Sequence, residues 1–156
     1  MIYLSIGSNL GDRLKFLQLA VGLISYRISK VKNVSRIYET PAMGFKGNPF
    51  YNICIEINTD LQPKSLLEKL LHIEKYLGRV RSSDRKSKSR KIDIDIVYFK
   101  KLILKDKELL IPHKNMHMRN FVLYPLAEIC SDFRDPRNGK SIPTLIDNSK
   151  DSVIPK

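Results

Sequence analysis

The sequence contains no tryptophan, only two cysteines, and no apolar run of the roughly 20 residues that a membrane-spanning helix needs. Its first residues are apolar but lack the basic segment and long apolar core of a secretory signal, so we expect a cytoplasmic protein. Cys54 and Cys130 form no C-x-x-C pair, which favours two small buried side chains over a redox pair.

Two nucleotide-binding motifs are also absent. No G-x-x-x-x-G-K-[S/T] sequence occurs, so the chain is not a P-loop enzyme. The segment Gly7-Ser8-Asn9-Leu10-Gly11 does not have the spacing of a dinucleotide fingerprint. A strand-to-helix turn capped by Asp12 is the simpler interpretation of this segment, and direct phosphate contact is the alternative.

Positive charge is in clear excess. The 156 residues include 28 Lys and Arg against 16 Asp and Glu, which gives a formal net charge of +12. A chain of this length fits one domain, and we expect residues 1–156 to form it. Net charge indicates partners rather than fold, so nucleic acid, an anionic membrane and a polyphosphate substrate all remain compatible.

Apolar periodicity predicts alternating strands and helices. We expect strands at 2–6, 31–38, a half-buried 51–57, and 92–99, with 102–104 pairing back onto the last. Helices are expected from Asp12 to about residue 29, from Pro63 to residue 77, and over 119–129, where Pro125 is an alternative break. Residues 39–49 and 79–91 are long loops, and Asn138-Gly139 marks a tight turn. This order predicts an α+β fold, specifically a ferredoxin-like α/β sandwich with helices packed on a mostly antiparallel sheet.

An Asp-x-Asp pattern is the sharpest feature of the chain. Asp93 and Asp95 alternate with isoleucines, so both carboxylates share one strand face, with Cα atoms roughly 6–7 Å apart. Like charges this close repel each other, and a bound cation removes that cost. We therefore interpret the pair as magnesium ligands. A solvated strand face that carries two acids is the alternative.

A strongly basic loop leads straight into this strand. This loop contains seven basic residues and one acidic residue, Asp84. The basic residues are Arg79, Arg81, Arg85, Lys86, Lys88, Arg90 and Lys91. Guanidinium groups match phosphate oxygens, and phosphoryl-type transfer depends on positioning and charge neutralisation. Loop and strand together indicate a polyphosphate site. For the loop alone, a solvated segment or a nucleic-acid patch is the alternative.

Further candidates lie on either side of this region. His113 and Arg119 could supply more phosphate donors, although His113 could also be a hydrogen-bonded structural histidine. Phe121 and Phe50 would ordinarily belong to the core. Phe50 lies beside Asn52, however, and an aromatic ring next to an amide suits a planar heterocycle.

The chain resembles the 6-hydroxymethyl-7,8-dihydropterin pyrophosphokinase family of folate biosynthesis. The matching segments run in the family's order and cover nearly the whole chain; they are 7–12 (GSNLGD), 38–41 (YETP), 78–81 (GRVR), 90–96 (RKIDIDI), 111–113 (IPH) and 119–126 (RNFVLYPL). The resemblance implies an ATP-dependent diphosphotransferase. Such an enzyme moves the pyrophosphoryl group of ATP to the hydroxymethyl oxygen of the pterin and releases AMP.

The resemblance also implies a set of site residues. Asp93 and Asp95 would bind two Mg²⁺ ions and, with Arg79 and Arg90, would be catalytic. ATP contacts are implied for Glu74, Arg79, Arg81, Arg90, Ile96, His113 and Arg119. The pterin would stack between Phe50 and Phe121, near Asp93, while Asn52 and the backbone of Thr40, Pro41 and Met43 read its polar edge. Residues 39–49 and 82–91 would close over the substrates.

This chain departs from the family pattern in its second loop. A Gly-Pro pair, often with an aromatic residue, usually precedes Arg90, whereas Lys86-Ser87-Lys88-Ser89 stands here in a loop one residue longer. Phe50 also replaces a common tyrosine. No side chain is an evident general base, so metal-assisted deprotonation of the hydroxyl is our preferred hypothesis.

Two other functions are alternatives to this one. An RNA-binding module would be compatible with the charge, but the aromatic signature of an RNA-recognition sheet is absent. A metal-dependent nuclease would need a third carboxylate or a histidine base near Asp93 and Asp95, and the sequence has no clear candidate nearby. We therefore expect ATP and a dihydropterin as partners, no nucleic acid, no membrane, and a monomer.

Overall fold

The computed structural model describes residues 1–79, 89–130 and 132–156. Its main sheet has five strands, β1 to β5, and a separate pair, β6 and β7, follows. In chain order the elements are β1 Ile2–Ser8, α1 Arg13–Arg27, β2 Val31–Val34, β3 Tyr38–Thr40, β4 Phe50–Ile57, α2 Pro63–Tyr76, β5 Asp93–Phe99, β6 Leu104–Lys105, β7 Leu110–Ile111, a 3₁₀ turn Met116–Met118, α3 Asn120–Ile129 and α4 Ile142–Asn148.

The main sheet has the order β2-β4-β1-β5, with β3 also paired to β4. Every described pair in it is antiparallel. Strand β1 is therefore central, between β4 and β5, and each βαβ unit skips one strand position. This is the topology of a β-α-β-β-α-β sandwich, so the predicted ferredoxin-like fold class is confirmed.

Each face of the sheet carries its own apolar layer. Isoleucine and leucine side chains of β1, β4 and β5 pack against α1 and α2. On the opposite face, Tyr3, Cys54 and Tyr98 pack with residues of α3 and α4. The prediction that 51–57 is half-buried is wrong, because α3 covers the face of β4 that carries Cys54. Both cysteines are free and buried, as predicted, and burial raises the pKa of each thiol.

The ends of the first two helices follow the predicted signals. Asp12 caps α1 by accepting a hydrogen bond from the Lys15 N–H at 3.1 Å. Pro63 opens α2, and Gly78, at φ +92°, follows its end in a conformation that favours glycine. Pro125 lies inside α3 without dividing it. No helix within 1–79, 89–130 and 132–156 is long and apolar enough to cross a membrane.

Three predictions of local structure are wrong. Residues 31–38 form two strands rather than one. The Cys54 N–H donates to the Ser35 hydroxyl at 3.0 Å, and this side-chain bond interrupts the backbone hydrogen bonding between the strands. The predicted loop 39–49 begins later, since Glu39 and Thr40 belong to β3. Residues 102–104 do not pair with β5; Leu104 pairs with Ile111 instead. Helix α4, capped by Ser141, was not predicted.

Candidate functional site

The floor of the site is a row of small residues on β1. Gly7 lies between Asn52 on β4 and Asp93 on β5, and Ser5 pairs with Asp95. A Cβ atom on Gly7 would come within 3.2 Å of Asn52 Oδ1. Because neither Gly7 nor Ser5 fills the space between the flanking strands, the polar side chains of β4 and β5 face one open cavity.

This first cavity has a volume of about 360 Å³, within the range of small-ligand sites. All seven residues predicted to bind the pterin line it, so the structure brings the predicted set together. Its lining is Ser5, Gly7, Thr40, Pro41, Met43, Gly44, Phe45, Phe50, Asn52, Arg90, Asp93, Asp95, Arg119 and Phe121.

Two aromatic walls bound the first cavity. Phe50 begins β4, and Phe121 lies in the first turn of α3. The Arg90 guanidinium carbon lies 5.3 Å from the centre of the Phe50 ring, and that of Arg119 lies 5.7 Å from the centre of the Phe121 ring. Phe45 packs edge-on against Phe50 at 6.3 Å. Each aromatic wall therefore carries a cation within cation–π distance.

Asn52 is held in one orientation. Its Nδ2 donates to Thr40 Oγ1 at 2.9 Å and to the Tyr38 carbonyl at 3.2 Å. These bonds use both amide protons, so the side chain offers Oδ1 as an acceptor beside Gly7. The cavity therefore has a buried acceptor next to its aromatic walls, which suits the N–H groups of a heterocycle.

Asp93 is surrounded by guanidinium groups. Its Oδ1 accepts from Arg79 Nη1 at 2.7 Å, and its Oδ2 lies 3.1 Å from Arg90 Nη2. Arg79 Nη1 also donates to Glu74 Oε2 at 2.9 Å, and the same oxygen accepts the Ile94 N–H at 2.7 Å. Burial opposes the charge on Arg79, but Asp93 and Glu74 outweigh it and raise the pKa of this guanidinium.

Asp95 lies where the first cavity meets a second one of similar volume, about 360 Å³. It lines both cavities, and 40% of its side chain is exposed. The concave walls limit its hydration, and with the nearby charges of Asp93 and Glu74 they raise the pKa of Asp95 to about 8. The second cavity is lined by Leu67, Leu71, Ile94, Asp95, Ile96, Lys107, Glu108, Leu109, Leu110, His113 and Lys114.

The residues predicted to contact ATP do not all lie in one cavity. Ile96 and His113 line the second cavity, whereas Arg90 and Arg119 line the first. Glu74 and Arg79 are not among the lining residues of either cavity; they form the ion pair behind Asp93. Arg81, and the part of the predicted 82–91 loop up to residue 88, lie outside the described residues.

His113 directs one ring nitrogen towards Asp95. The Asn115 N–H donates to His113 Nδ1 at 3.4 Å, which places the ring proton on Nε2, and Nε2 lies 3.9 Å from Asp95 Oδ1. Burial, reinforced by Arg119, lowers the pKa of His113, so its ring is neutral at pH 7. His113 therefore offers a neutral N–H donor rather than a cation.

Asp93 and Asp95 offer two carboxylates as possible ligands of a metal ion. Within 1–79, 89–130 and 132–156, no three His, Cys, Asp or Glu side chains are grouped as a metal-binding cluster. Magnesium commonly takes only one or two carboxylates and completes its octahedron with water and phosphate oxygens. Two acids facing a cavity, one with its pKa raised, fit such an ion in the presence of a polyphosphate.

Sequence reasoning missed one residue that ties the two predicted loops together. Asn9 Nδ2 donates to the Asn48 carbonyl and to Ser89 Oγ, each at 3.0 Å, and Asn9 Oδ1 accepts the Arg90 N–H at 2.7 Å. The sequence marks Asn9 only as part of a turn. Ser5 and Gly7 were also missed, although their alternation with Leu4 and Ile6 would have placed them on the polar face of β1.

The chain is thus an α+β sandwich with two adjoining cavities that share an acidic residue, Asp95. The family model described as 7,8-dihydro-6-hydroxymethylpterin-pyrophosphokinase (HPPK) matches residues 3–131. The chain therefore belongs to this family of pyrophosphokinases, and the family resemblance of its sequence is confirmed.

Individual relatives agree with this family. The chain is 42% identical over 130 residues to the 2-amino-4-hydroxy-6-hydroxymethyldihydropteridine pyrophosphokinase of Bacillus subtilis, covering 82% of this chain and 77% of that protein. It is 40% identical over 159 residues to the folic acid synthesis protein fol1 of Pneumocystis carinii, covering 99% of this chain but only 21% of the relative. The chain thus spans about a fifth of that longer protein.

A solved structure supports the fold independently. The chain superimposes on the wild-type HPPK-DHPS of Plasmodium falciparum with a TM-score of 0.77, over 94% of this chain and 44% of the other. Sequence identity is 16%, so this likeness shows the fold alone.

Proposed function

We propose that this chain transfers the pyrophosphoryl group of ATP to the hydroxymethyl group of 6-hydroxymethyl-7,8-dihydropterin and releases AMP, as a step of folate biosynthesis. The B. subtilis relative carries the name of this pyrophosphokinase activity. The observation that carries the proposal is the position of Asp95, which lines both cavities. A reaction between two ligands requires such a shared boundary, because the reacting atoms must come within about 3–3.5 Å of each other.

The first cavity is the proposed pterin site. Phe50 and Phe121 would stack on the two faces of the ring, and Asn52 Oδ1 would accept a hydrogen bond from its polar edge. Thr40, Pro41 and Met43 would contact the same edge through their backbone. Asp93 would lie near the hydroxymethyl group, because it lines this cavity beside Asp95.

The second cavity is the proposed nucleotide site. Ile96 and Leu71 offer apolar surface for a base, and Lys107 and Lys114 add positive charge to the rim. The phosphates would run towards Asp95, where His113 Nε2, 3.9 Å from Asp95 Oδ1, would donate to a phosphate oxygen. Arg90 and Arg119 would contact the phosphates from the first cavity. Arg81 is proposed to join them.

The ion pair behind Asp93 suggests an indirect contribution from two further residues. Arg79 bonds to Asp93 and Glu74, and Glu74 bonds to the backbone of β5. In this arrangement Glu74 and Arg79 hold Asp93 in place. We propose that Arg79 also turns to a phosphate when the nucleotide binds. A guanidinium group binds phosphate as well as carboxylate, so a phosphate can replace Asp93 or Glu74 as its partner.

Asp93 and Asp95 are the proposed ligands of two Mg²⁺ ions. Bound Mg²⁺ would neutralise phosphate charge and polarise the reacting hydroxyl. The proposal is supported by the two arginines next to Asp93, because they indicate that this carboxylate is charged and needs positive charge beside it.

Several wider properties also belong to this proposal. We infer that residues 1–156 form one catalytic domain that works in the cytoplasm as a monomer, on small-molecule substrates and without nucleic acid. A light-scattering mass of two chains would contradict the monomer. RNA binding at micromolar affinity with a steep salt dependence would instead favour a nucleic-acid function for the excess of positive charge.

Calorimetry with two ligands tests the proposed function. A non-hydrolysable ATP analogue with MgCl₂ is titrated first, and 6-hydroxymethyl-7,8-dihydropterin is then titrated into the loaded protein. We expect one molecule of each ligand to bind per chain. Failure of the pterin to bind the nucleotide-loaded protein would rule the proposal out.

A further inference from the structure

The C-terminal segment 149–156 contacts two walls of the first cavity. It lies beyond residue 131, where the family match ends. Its Pro155 is buried, and the Lys156 N–H donates to the Glu39 carbonyl at 3.2 Å. Glu39 directly precedes Thr40, which lines the cavity. The segment is therefore bonded to the strand that forms one wall.

The same segment also caps the helix that forms the other wall. Arg119, the residue at the cap position of α3, makes no capping hydrogen bond with its side chain. Asp151 Oδ2 accepts the N–H of Asn120 at 2.9 Å, from 31 positions along the chain. A carboxylate at this position satisfies a free backbone donor and interacts favourably with the helix dipole.

Further hydrogen bonds fix the geometry of this cap. Asn120 Nδ2 donates to the Asp151 carbonyl at 3.1 Å and to the Val153 carbonyl at 2.8 Å, which uses both amide protons. The Val153 N–H donates to Asp151 Oδ1 at 2.9 Å, so each carboxylate oxygen has a backbone partner. Asn120 is buried. The first turn of α3 is thus tied to the C-terminal segment at two atoms of one residue.

Asn120 lies between Arg119 and Phe121, and both of these residues line the first cavity. We propose that Asp151 is a positioning residue for pterin binding: it holds the first turn of α3 so that Phe121 presents its ring opposite Phe50. This inference rests on the proposed function, because it takes Phe121 as a pterin contact. It assigns to residues beyond the family match a part in forming the substrate site.

The test compares Asp151→Ala with Asp147→Ala, which removes the same charge from an exposed position in α4. Each protein is titrated with the ATP analogue alone, and then with the pterin at a saturating concentration of that analogue. Asp151→Ala should weaken pterin binding by about tenfold, because the cost of the lost helix cap would fall on the binding step that needs an ordered first turn of α3. Its affinity for the analogue should fall clearly less, because Arg119 is only one of several proposed phosphate contacts. Asp147→Ala should match the wild type in both titrations.

Two further measurements distinguish positioning from a general loss of structure. Asp151→Asn keeps one oxygen acceptor for the Asn120 N–H, so it should recover most of the pterin affinity. Hydrogen exchange of Asp151→Ala should be faster at residues 120–123 and unchanged in β1 and β5. Wild-type pterin affinity in Asp151→Ala would overturn the inference, and so would an equal loss of affinity for both ligands. A wild-type protein that binds no pterin would instead overturn the proposed function itself.

Discussion

Asp93 and Asp95 differ in their surroundings although they are two residues apart on one strand. Asp93 accepts from Arg79 and lies 3.1 Å from Arg90 Nη2, whereas Asp95 faces both cavities and the neutral His113. The charge of Asp93 is therefore compensated by the protein itself. Asp95 holds its proton up to a pKa of about 8, so it depends more on an added cation to become a carboxylate.

Alanine substitution should affect catalysis at both aspartates and stability mainly at Asp93. Asp93→Ala and Asp95→Ala should each lower kcat by roughly 100-fold or more, because each removes a proposed metal ligand at the reacting centre. Asp93→Ala should also destabilise the metal-free protein by about 1.5–3 kcal/mol, since it strips a charged partner from Arg79 and Arg90.

Steady-state rates and urea unfolding in EDTA measure both effects. Asp60→Ala is the matched control, because Asp60 is exposed and lines neither cavity. Near-normal AMP production by either active-site variant would contradict the metal assignment.

The raised pKa of Asp95 predicts a distinctive pH dependence of stability. The folded protein keeps the Asp95 proton up to a pKa of about 8, whereas an unfolded aspartate releases it near about 4. Between these values the native state binds more protons, so the contribution of Asp95 to the free energy of unfolding falls as the pH rises.

Urea unfolding in EDTA at pH 5, 6, 7 and 8 tests this dependence against Asp95→Asn, which has no ionisable group at this position. The variant should gain stability relative to the wild type as the pH rises through this range, and MgCl₂ with the ATP analogue should reduce the gain. A difference between the two proteins that stays constant from pH 5 to 8 would show that Asp95 ionises normally.

The same substitution in two elements should have opposite consequences. Gly7→Ala on β1 places a methyl group 3.2 Å from Asn52 Oδ1 and 3.5 Å from the Phe50 ring, at the floor of the first cavity. Gly22→Ala lies on an open face of α1, where nothing comes within 4 Å of the new methyl group. Alanine is favoured over glycine inside a helix by about 0.8–1 kcal/mol.

We therefore expect Gly7→Ala to weaken pterin binding with little change in affinity for the ATP analogue, and Gly22→Ala to raise stability and leave both affinities unchanged. Calorimetry and urea unfolding of the two variants provide the comparison. Undiminished pterin affinity in Gly7→Ala would place the pterin elsewhere than the first cavity.

Most regular elements are predictable because their signals are local. Asp12, Pro63 and Gly78 mark helix ends in the sequence, and the isoleucines of 92–96 mark β5. The division of 31–38 is not predictable in this way, because it depends on a hydrogen bond between Ser35 and the distant Cys54. The burial of β4 on both faces likewise depends on α3, which follows it by more than sixty residues.

The residues of the candidate site are likewise predictable only where their signals are local. The aspartate pair and the aromatic walls were found from alternation and from the family resemblance. Asn9 and Asp151 were not, because each acts through partners brought close only by the tertiary fold: Asn48 and Ser89 for Asn9, and Asn120 for Asp151. A polar residue in a turn or near a chain end carries no such information in its sequence neighbourhood.

The molecule as a whole combines a basic surface with an acidic centre. The net charge of +12 favours the approach of an anionic nucleotide, while Asp95 lies where the two cavities meet and Asp93 lines the first of them. An arrangement that only attracted phosphates would not need two carboxylates there. The acids are consistent with a reaction in which a metal-bound triphosphate is brought to a second ligand.

Identification of the reaction products by ³¹P NMR tests this account most directly. The purified chain is mixed with ATP, MgCl₂ and 6-hydroxymethyl-7,8-dihydropterin. The account predicts AMP and a pterin that carries a diphosphate, in equal amounts, and at most a trace of either product with Asp95→Ala over the same time. Formation of ADP with a pterin monophosphate, or hydrolysis of ATP with the pterin left unchanged, would contradict it.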